Sequence, residues 1–176
     1  LTKRKELIMI GKINNKELGF GEIAKIVSQN EFTVEETDSQ RPWGGFVRLS
    51  NDDSEKFINL YFKQESKQFK SYKNLSPKYL LVEPGKSLSW QYHYKRAEYW
   101  KVLYGQAGVK LSNTDNLPKD TKILNTGDYI KFKELVRHRL IGLEDWAIVV
   151  EIWEHIDPLA PSSEEDIGQV ADDFGR

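Results

Sequence analysis

The sequence predicts an all-β domain, either an antiparallel sandwich or a barrel. Three observations carry that expectation. From Arg41 onward, short runs rich in aromatic and β-branched residues follow one another at short intervals. Turn-forming clusters separate them, among them Asn51-Asp52-Asp53-Ser54, Pro84-Gly85, Asn113-Thr114-Asp115-Asn116 and Asn125-Thr126-Gly127-Asp128. Nothing alternates helix with strand as a parallel βαβ fold would, and no repeat of solenoid length occurs.

Residues 1–38 read as an appendage. Leu18, Ile23, Ile26 and Val27 fall at roughly helical spacing, weakened by Gly19 and Gly21, so a short helix is expected from about Glu22. Glu31 to Thr37 alternates like a strand. Phe46 to Leu49 and Phe57 to Phe62 are expected as strands on either side of the 51–54 turn. Gln64 to Asn74, polar and lysine-rich, reads as a solvated loop or hairpin tip. Further strands are expected at Lys78–Glu83, Ser87–Tyr94, Tyr99–Tyr104, Ala107–Ser112, Lys122–Leu124, Tyr129–Phe132, His138–Ile141 and Trp146–Ile156. Pro161-Ser162-Ser163-Glu164-Glu165-Asp166 places a serine N-cap before acidic residues, which predicts a short helical tail.

A chain of 176 residues is one ordinary domain with room for an appendage, and 39% hydrophobic with 30% charged residues is a globular composition. The net charge of -1 provides no field for nucleic acid or a membrane surface. No apolar run approaches the roughly 20 residues that span a bilayer. Residues 1–8 begin with a basic stretch but lack the apolar segment and cleavage site of a secretory signal. The chain has no cysteine, which excludes disulfides and thiolate metal sites and fits a reducing compartment; a cytoplasmic location is expected.

Chemistry concentrates in two stretches. Gln91 and His93 are two apart, so on a strand they point to one face. Glu98 returns after a bend, and His138 comes from a distant strand. Two imidazoles, a carboxylate and an amide oxygen make a nitrogen/oxygen set suited to zinc, iron, manganese, cobalt or nickel. Lys95 shares the face of Gln91 and His93 if the strand stays regular, whereas a bulge would turn it outward. Arg137 and Arg139 alternate with His138 and face away from it, so Arg139 suits an ion pair or a supporting role.

These residues resemble a known family. Gly85, Gln91, His93, Glu98 and Gly105 are spaced like the first cupin motif, with glutamine for the usual first histidine, and Gly127 to Gly142, around His138, resembles the second. More narrowly, Arg41-Pro42-Trp43-Gly44, the stretch Leu88 to Trp100, Val150-Glu151-Ile152 and the stretch Glu164 to Arg176 are similar to the cupin domain of type II mannose-6-phosphate isomerases, which is elsewhere fused to a mannose-1-phosphate guanylyltransferase. The resemblance covers residues 41–176 and leaves 1–40 as an N-terminal extension. It implies a cupin jelly-roll barrel, one divalent ion (zinc foremost) held by Gln91, His93, Glu98 and His138, and interconversion of mannose 6-phosphate and fructose 6-phosphate. Lys95 and Arg96 are the candidate catalytic residues, and Arg176 and Arg139 the candidate substrate-binding ones. An edge-paired homodimer is expected, with residues 1–38 placed to supply an exchanged strand.

The chain also departs from the pattern. Lys95 and Tyr99 stand where the family has histidines, Lys133 and Leu135 where it has proline and glycine, and Gln169 where arginine is frequent. Residues 62–77 are longer and more polar than the family's connection. Two alternatives therefore stay open: a cupin metalloenzyme of another class such as a dioxygenase, and a non-catalytic cupin that binds a sugar or sugar phosphate.

Overall fold

The computed structural model describes residues 9–171 and 173. Helix α1 (Lys16–Gln29) leads into β1 (Val34–Asp38) and β2 (Gly44–Leu49), followed by α2 (Ser54–Tyr61). Strands β3 (Lys78–Val82), β4 (Trp90–Tyr92), β5 (Arg96–Tyr104), β6 (Ala107–Ser112), β7 (Lys122–Leu124), β8 (Tyr129–Phe132), β9 (Arg137–Gly142), β10 (Ala147–His155) and β11 (Gly168–Ala171) complete the chain. They form two antiparallel sheets, ordered β1-β2-β3-β10-β5-β8 and β11-β4-β9-β6-β7. Among the described residues no helix is long and apolar enough to cross a membrane.

The six-stranded sheet is buried on both faces, which is why Lys78–Val82 and Ala147–Val150 read as unbroken buried runs. Its outer face presents Tyr79, Leu81, Tyr99, Val150 and Ile152 to Ile23 and Ile26 of α1 and to Phe57 and Ile58 of α2. Its inner face presents Leu80, Val82, Trp100, Val102 and Val149 to Val109 and Leu140 of the other sheet. Gly105 turns β5 into β6 at φ +74, and a Cβ there would meet the Trp146 carbonyl oxygen at 2.5 Å.

Three expectations need correction. Phe57 to Tyr61 belong to helix α2, which Phe62 caps, and not to a strand. Phe57, Ile58, Tyr61 and Phe62 are spaced as one helical face, and Phe57 and Ile58 are fully buried, so a 3.6-residue period replaces the alternation read from composition. Helix α1 starts at Lys16, six residues before the expected point. The Asn15 side chain accepts from Leu18 N at 2.8 Å, and Gly19 belongs inside the helix because a Cβ there would lie 2.6 Å from Leu81 Cδ1. The tail forms no helix among the described residues. Residues 161–167 run as turns and then pair as β11 with β4. Its capping groups are engaged elsewhere: Ser162 Oγ accepts from Arg96 Nη1 at 2.9 Å, and the Asp166 carboxylate accepts from Tyr94 N and Lys95 N.

The strand considered for exchange between copies, β1, is hydrogen-bonded to β2 of its own chain. Residues 62–77 are not wholly solvated. Phe69 and Leu75 are buried against the outer face, and the Phe62 and Phe69 rings lie 5.7 and 5.1 Å from Tyr99.

Candidate metal centre

One end of the barrel interior changes from apolar to polar along the strands. On β5 the inward positions run Val102, Trp100, Glu98. On β10 they run Ala147, Val149, Glu151, Trp153, and on β3 they run Val82, Leu80, Lys78. At this polar end His93 enters just past β4 and His138 from β9, opposite Gln91 in register. His93, Glu98 and His138 are each at most 2% exposed, and their ligating atoms lie within 4.8 Å of one another.

Second partners set the two imidazoles. His93 Nδ1 donates to the Asp166 carbonyl at 2.5 Å, and His138 Nδ1 donates to the Val136 carbonyl at 2.9 Å, since a carbonyl only accepts. Both Nε2 atoms therefore turn lone pairs inward, 3.1 and 3.7 Å from the Glu98 oxygens. Glu98 Oε2 and His138 Nε2 have no hydrogen-bond partner among the described residues. A buried group of acceptors with two orphaned atoms is short of positive charge, which is the condition a cation relieves. Burial, against the pull of Glu98, pushes the His138 imidazole down to about 4, so it is neutral at pH 7, as a ligand must be. The His138 ring is held between Phe132 and Trp100, with centroids at 4.2 and 5.5 Å. Burial pushes the Glu98 carboxyl up, while the Arg96 guanidinium beside it pulls it down and favours the ionised form.

The structure thus gathers three of the four expected ligands into one cluster. Gln91 lines the same cavity, but its amide oxygen accepts from Ser89 Oγ at 2.6 Å. Arg96 is at the centre. Its Nε donates to Glu98 Oε1 at 2.8 Å and its Nη2 approaches His93 Nε2 at 3.2 Å, while the guanidinium stacks on Trp153 at 3.7 Å. Lys95 is not at the site. The chain bends after His93, Lys95 is exposed, and its amide donates to Asp166 Oδ2 while its carbonyl accepts from Ile156 N. Arg139 also faces away, pairing with Asp173 at 3.2 Å. Arg176 lies outside the described residues.

The cavity beside the cluster measures about 630 Å³, and Arg41, Lys78, Arg96 and Glu151 are among its lining residues. Lys78 and Glu151 were not singled out as site residues from sequence. The signal available was a charged residue inside each of two otherwise apolar strands, Lys78-Tyr79-Leu80-Leu81-Val82 and Ala147 to Trp153.

The fold is a cupin jelly roll, here with a His/His/Glu cluster that could hold a metal ion. Comparison with known proteins narrows that class. Residues 65–144 match the family described as "Mannose-6-phosphate isomerase C-terminal". Over 172 residues, 96% of this chain, the sequence is 26% identical to a mannose-1-phosphate guanylyltransferase of Sinorhizobium fredii (strain NBRC 101917 / NGR234), and it spans 28% of that protein's length. The chain is accordingly similar to the cupin-type domain of the mannose-6-phosphate isomerase family, as its motifs indicated. Oxalate decarboxylase from Bacillus subtilis shares the fold at TM-score 0.54 and 17% identity, over 78% of this chain and 31% of that one. Vicilin from Solanum lycopersicum (tomato) does so at 0.51 and 17%, over 80% and 36%.

Proposed function

We propose that the chain is a metal-dependent aldose–ketose isomerase acting on a hexose phosphate, with mannose 6-phosphate and fructose 6-phosphate as the first pair to test. The observation that carries this reading is the cluster of inward lone pairs at His93, Glu98 and His138, opening onto a cavity of about 630 Å³. That volume falls in the range of about 300–1,000 Å³ typical of small-molecule sites. The match to a family described by its mannose-6-phosphate isomerase domain supports the choice of sugar.

His93, Glu98 and His138 would hold the ion, with Gln91 beside them, and a divalent ion such as zinc would supply a Lewis acid for the substrate's carbonyl and hydroxyl oxygens. The chain's own cations take the phosphate. Arg41 and Lys78 line the cavity, and Arg offers a bidentate fork for phosphate oxygens. Arg96 stays with Glu98 and His93 and fixes the orientation of both.

A coupled assay of protein loaded with zinc, manganese, cobalt, nickel or ferrous ion should show turnover of mannose 6-phosphate that chelation abolishes. Absence of turnover with every ion and every hexose phosphate would remove the reading. One observation favours a second reading. Arg96 already bonds two of the three ligands, as a cation substitute would, which suits a non-catalytic binder of sugar phosphates. That alternative predicts binding of mannose 6-phosphate without exchange of its C2 proton into solvent.

A further inference from the structure

Glu151 is a second buried carboxylate in the cavity, and it is not among the three clustered ligands. Strand register fixes its place. On β10 it pairs with Lys78 of β3 on one side and with Trp100 of β5 on the other. Glu98 pairs with Trp153, two residues further along the same inward face. The two carboxylates therefore occupy diagonal corners of one tile, at backbone positions about 7–8 Å apart. A sugar carbon lying between them would have Glu98 and the imidazoles on one side and Glu151 on the other.

Its hydrogen bonds set Glu151 apart from an ordinary buried ion. Trp100 Nε1 donates to Oε2 at 2.8 Å and Trp153 Nε1 donates to Oε1 at 3.2 Å. Both donors are neutral and rigid. Lys78 Nζ lies 3.5 Å from Oε1, but it lies closer, at 2.8 Å, to Glu164. The carboxylate is oriented without being fully neutralised, and lone pairs remain for a substrate proton. Burial first, and the charge of Glu98 second, raise its proton affinity above that of an ordinary glutamate.

We propose that Glu151 is the proton-transfer residue of this site, carrying hydrogen between C1 and C2 of the bound sugar; the inference rests on the isomerase reading. In the aldose-to-ketose direction the Glu151 carboxylate takes the proton from C2. The C2–H electron pair becomes the C1–C2 double bond, and the carbonyl pair moves onto O1. The O2 proton passes to O1, Glu151 returns its proton to C1, and O2 becomes the new carbonyl oxygen. Atoms and charge balance with no oxidant or reductant, and the carboxylate is regenerated. Glu98 is unsuited to the task because its oxygens face the two imidazoles and Arg96.

The test compares wild type, Glu151→Gln and Glu151→Asp in D₂O. Metal content is read by elemental analysis, mannose 6-phosphate binding by calorimetry, and loss of the C2 proton by NMR. Glu151→Gln is expected to keep metal and sugar binding while exchange and turnover fall by about 100-fold or more, the lower bound of a general-base contribution. Glu151→Asp should retain measurable exchange. Exchange in Glu151→Gln within about threefold of wild type would overturn the proposal. So would loss of metal or sugar binding in both variants, which would make Glu151 structural. Wild-type protein that binds the sugar but never exchanges C2 removes the isomerase reading itself, and Glu151's role with it.

Discussion

Leu135 holds φ at +64 in the turn leading into β9, a conformation that crowds the Cβ of any residue but glycine. The cost is about 1–2 kcal/mol. The turn is kept because Leu135 N donates to the His93 carbonyl at 2.7 Å, tying the approach to β9 to the end of β4, the two places from which the imidazoles project. The side chain is 47% exposed, so truncation loses little packing. After subtracting glycine's greater chain entropy, Leu135→Gly should stabilise the protein by about 0.5–1 kcal/mol, seen as a higher urea midpoint; a lower midpoint would show that the leucine contributes more contact than strain. The sequence marked this residue, because the family pattern has glycine there. It marked His93, Glu98 and His138 for a related reason: their spacing forms a local motif. Lys78 was legible only as a charge inside an apolar strand, and Glu151 only as that and as part of a family-like block, because their roles depend on the register of β3, β10 and β5, which no local spacing encodes. Lys95 shows the converse, a residue placed by assumed alternation that a bend turned outward.

At the level of elements, the segment after β10 acts as a strap across the mouth of the barrel. Ser162 and Ser163 accept from Arg96, Glu164 pairs with Lys78, the Asp166 carbonyl orients His93, and Ile167 and Gln169 line the cavity. His155 anchors its start. Its Nδ1 accepts from Ser162 N at 3.1 Å while Nε2 donates to the Lys73 carbonyl at 3.2 Å, a pair of bonds that only the neutral ring makes. Burial lowers its affinity for a proton. The unfolded chain, with an ordinary value near about 6.5, therefore takes up this proton first as pH falls. The contribution of His155 is fully present above about pH 6.5 and is lost below it. Urea midpoints measured from pH 7.5 to 5 should fall across that window, and the fall should be smaller in His155→Gln; an identical fall in both proteins would place its cause elsewhere. The strap was misread from sequence because a serine followed by acids is a sound helix-start signal, and only the positions of Arg96, Tyr94 and Lys95 show where those groups are engaged. Helix α2 was misread because five aromatic and branched residues among the six at 57–62 satisfy strand composition, while their burial follows a helical period.

In the molecule as a whole, two departures from the family pattern, Lys95 and Tyr99, fall away from the candidate metal centre, whereas Gln169 lines its cavity and Leu135 bonds the His93 carbonyl. Lys95 is on the surface. Tyr99 points to the outer face, where Phe62 and Phe69 of the longer 62–77 segment pack on it, so the histidine-to-tyrosine change and the longer connection answer each other. The barrel keeps an apolar interior at one end and collects its charges at the other, and three of the four expected ligands stay clustered. An antiparallel sandwich or barrel was legible in the sequence because turn residues and alternation recur from Arg41 onward, and the jelly roll was legible through the family resemblance, but the order of strands within each sheet was not. The double covering of the six-stranded sheet was not, since it depends on α1 and α2 docking on its outer face. All of the proposed chemistry depends on a cation at His93, Glu98 and His138. Elemental analysis after loading and gel filtration tests this most directly, on wild type and on His93→Ala and His138→Ala variants shown by circular dichroism to be folded. About one equivalent of ion in wild type, lost in both variants, is the predicted result. Wild-type protein that retains no ion, or folded variants that retain as much as wild type, would contradict it.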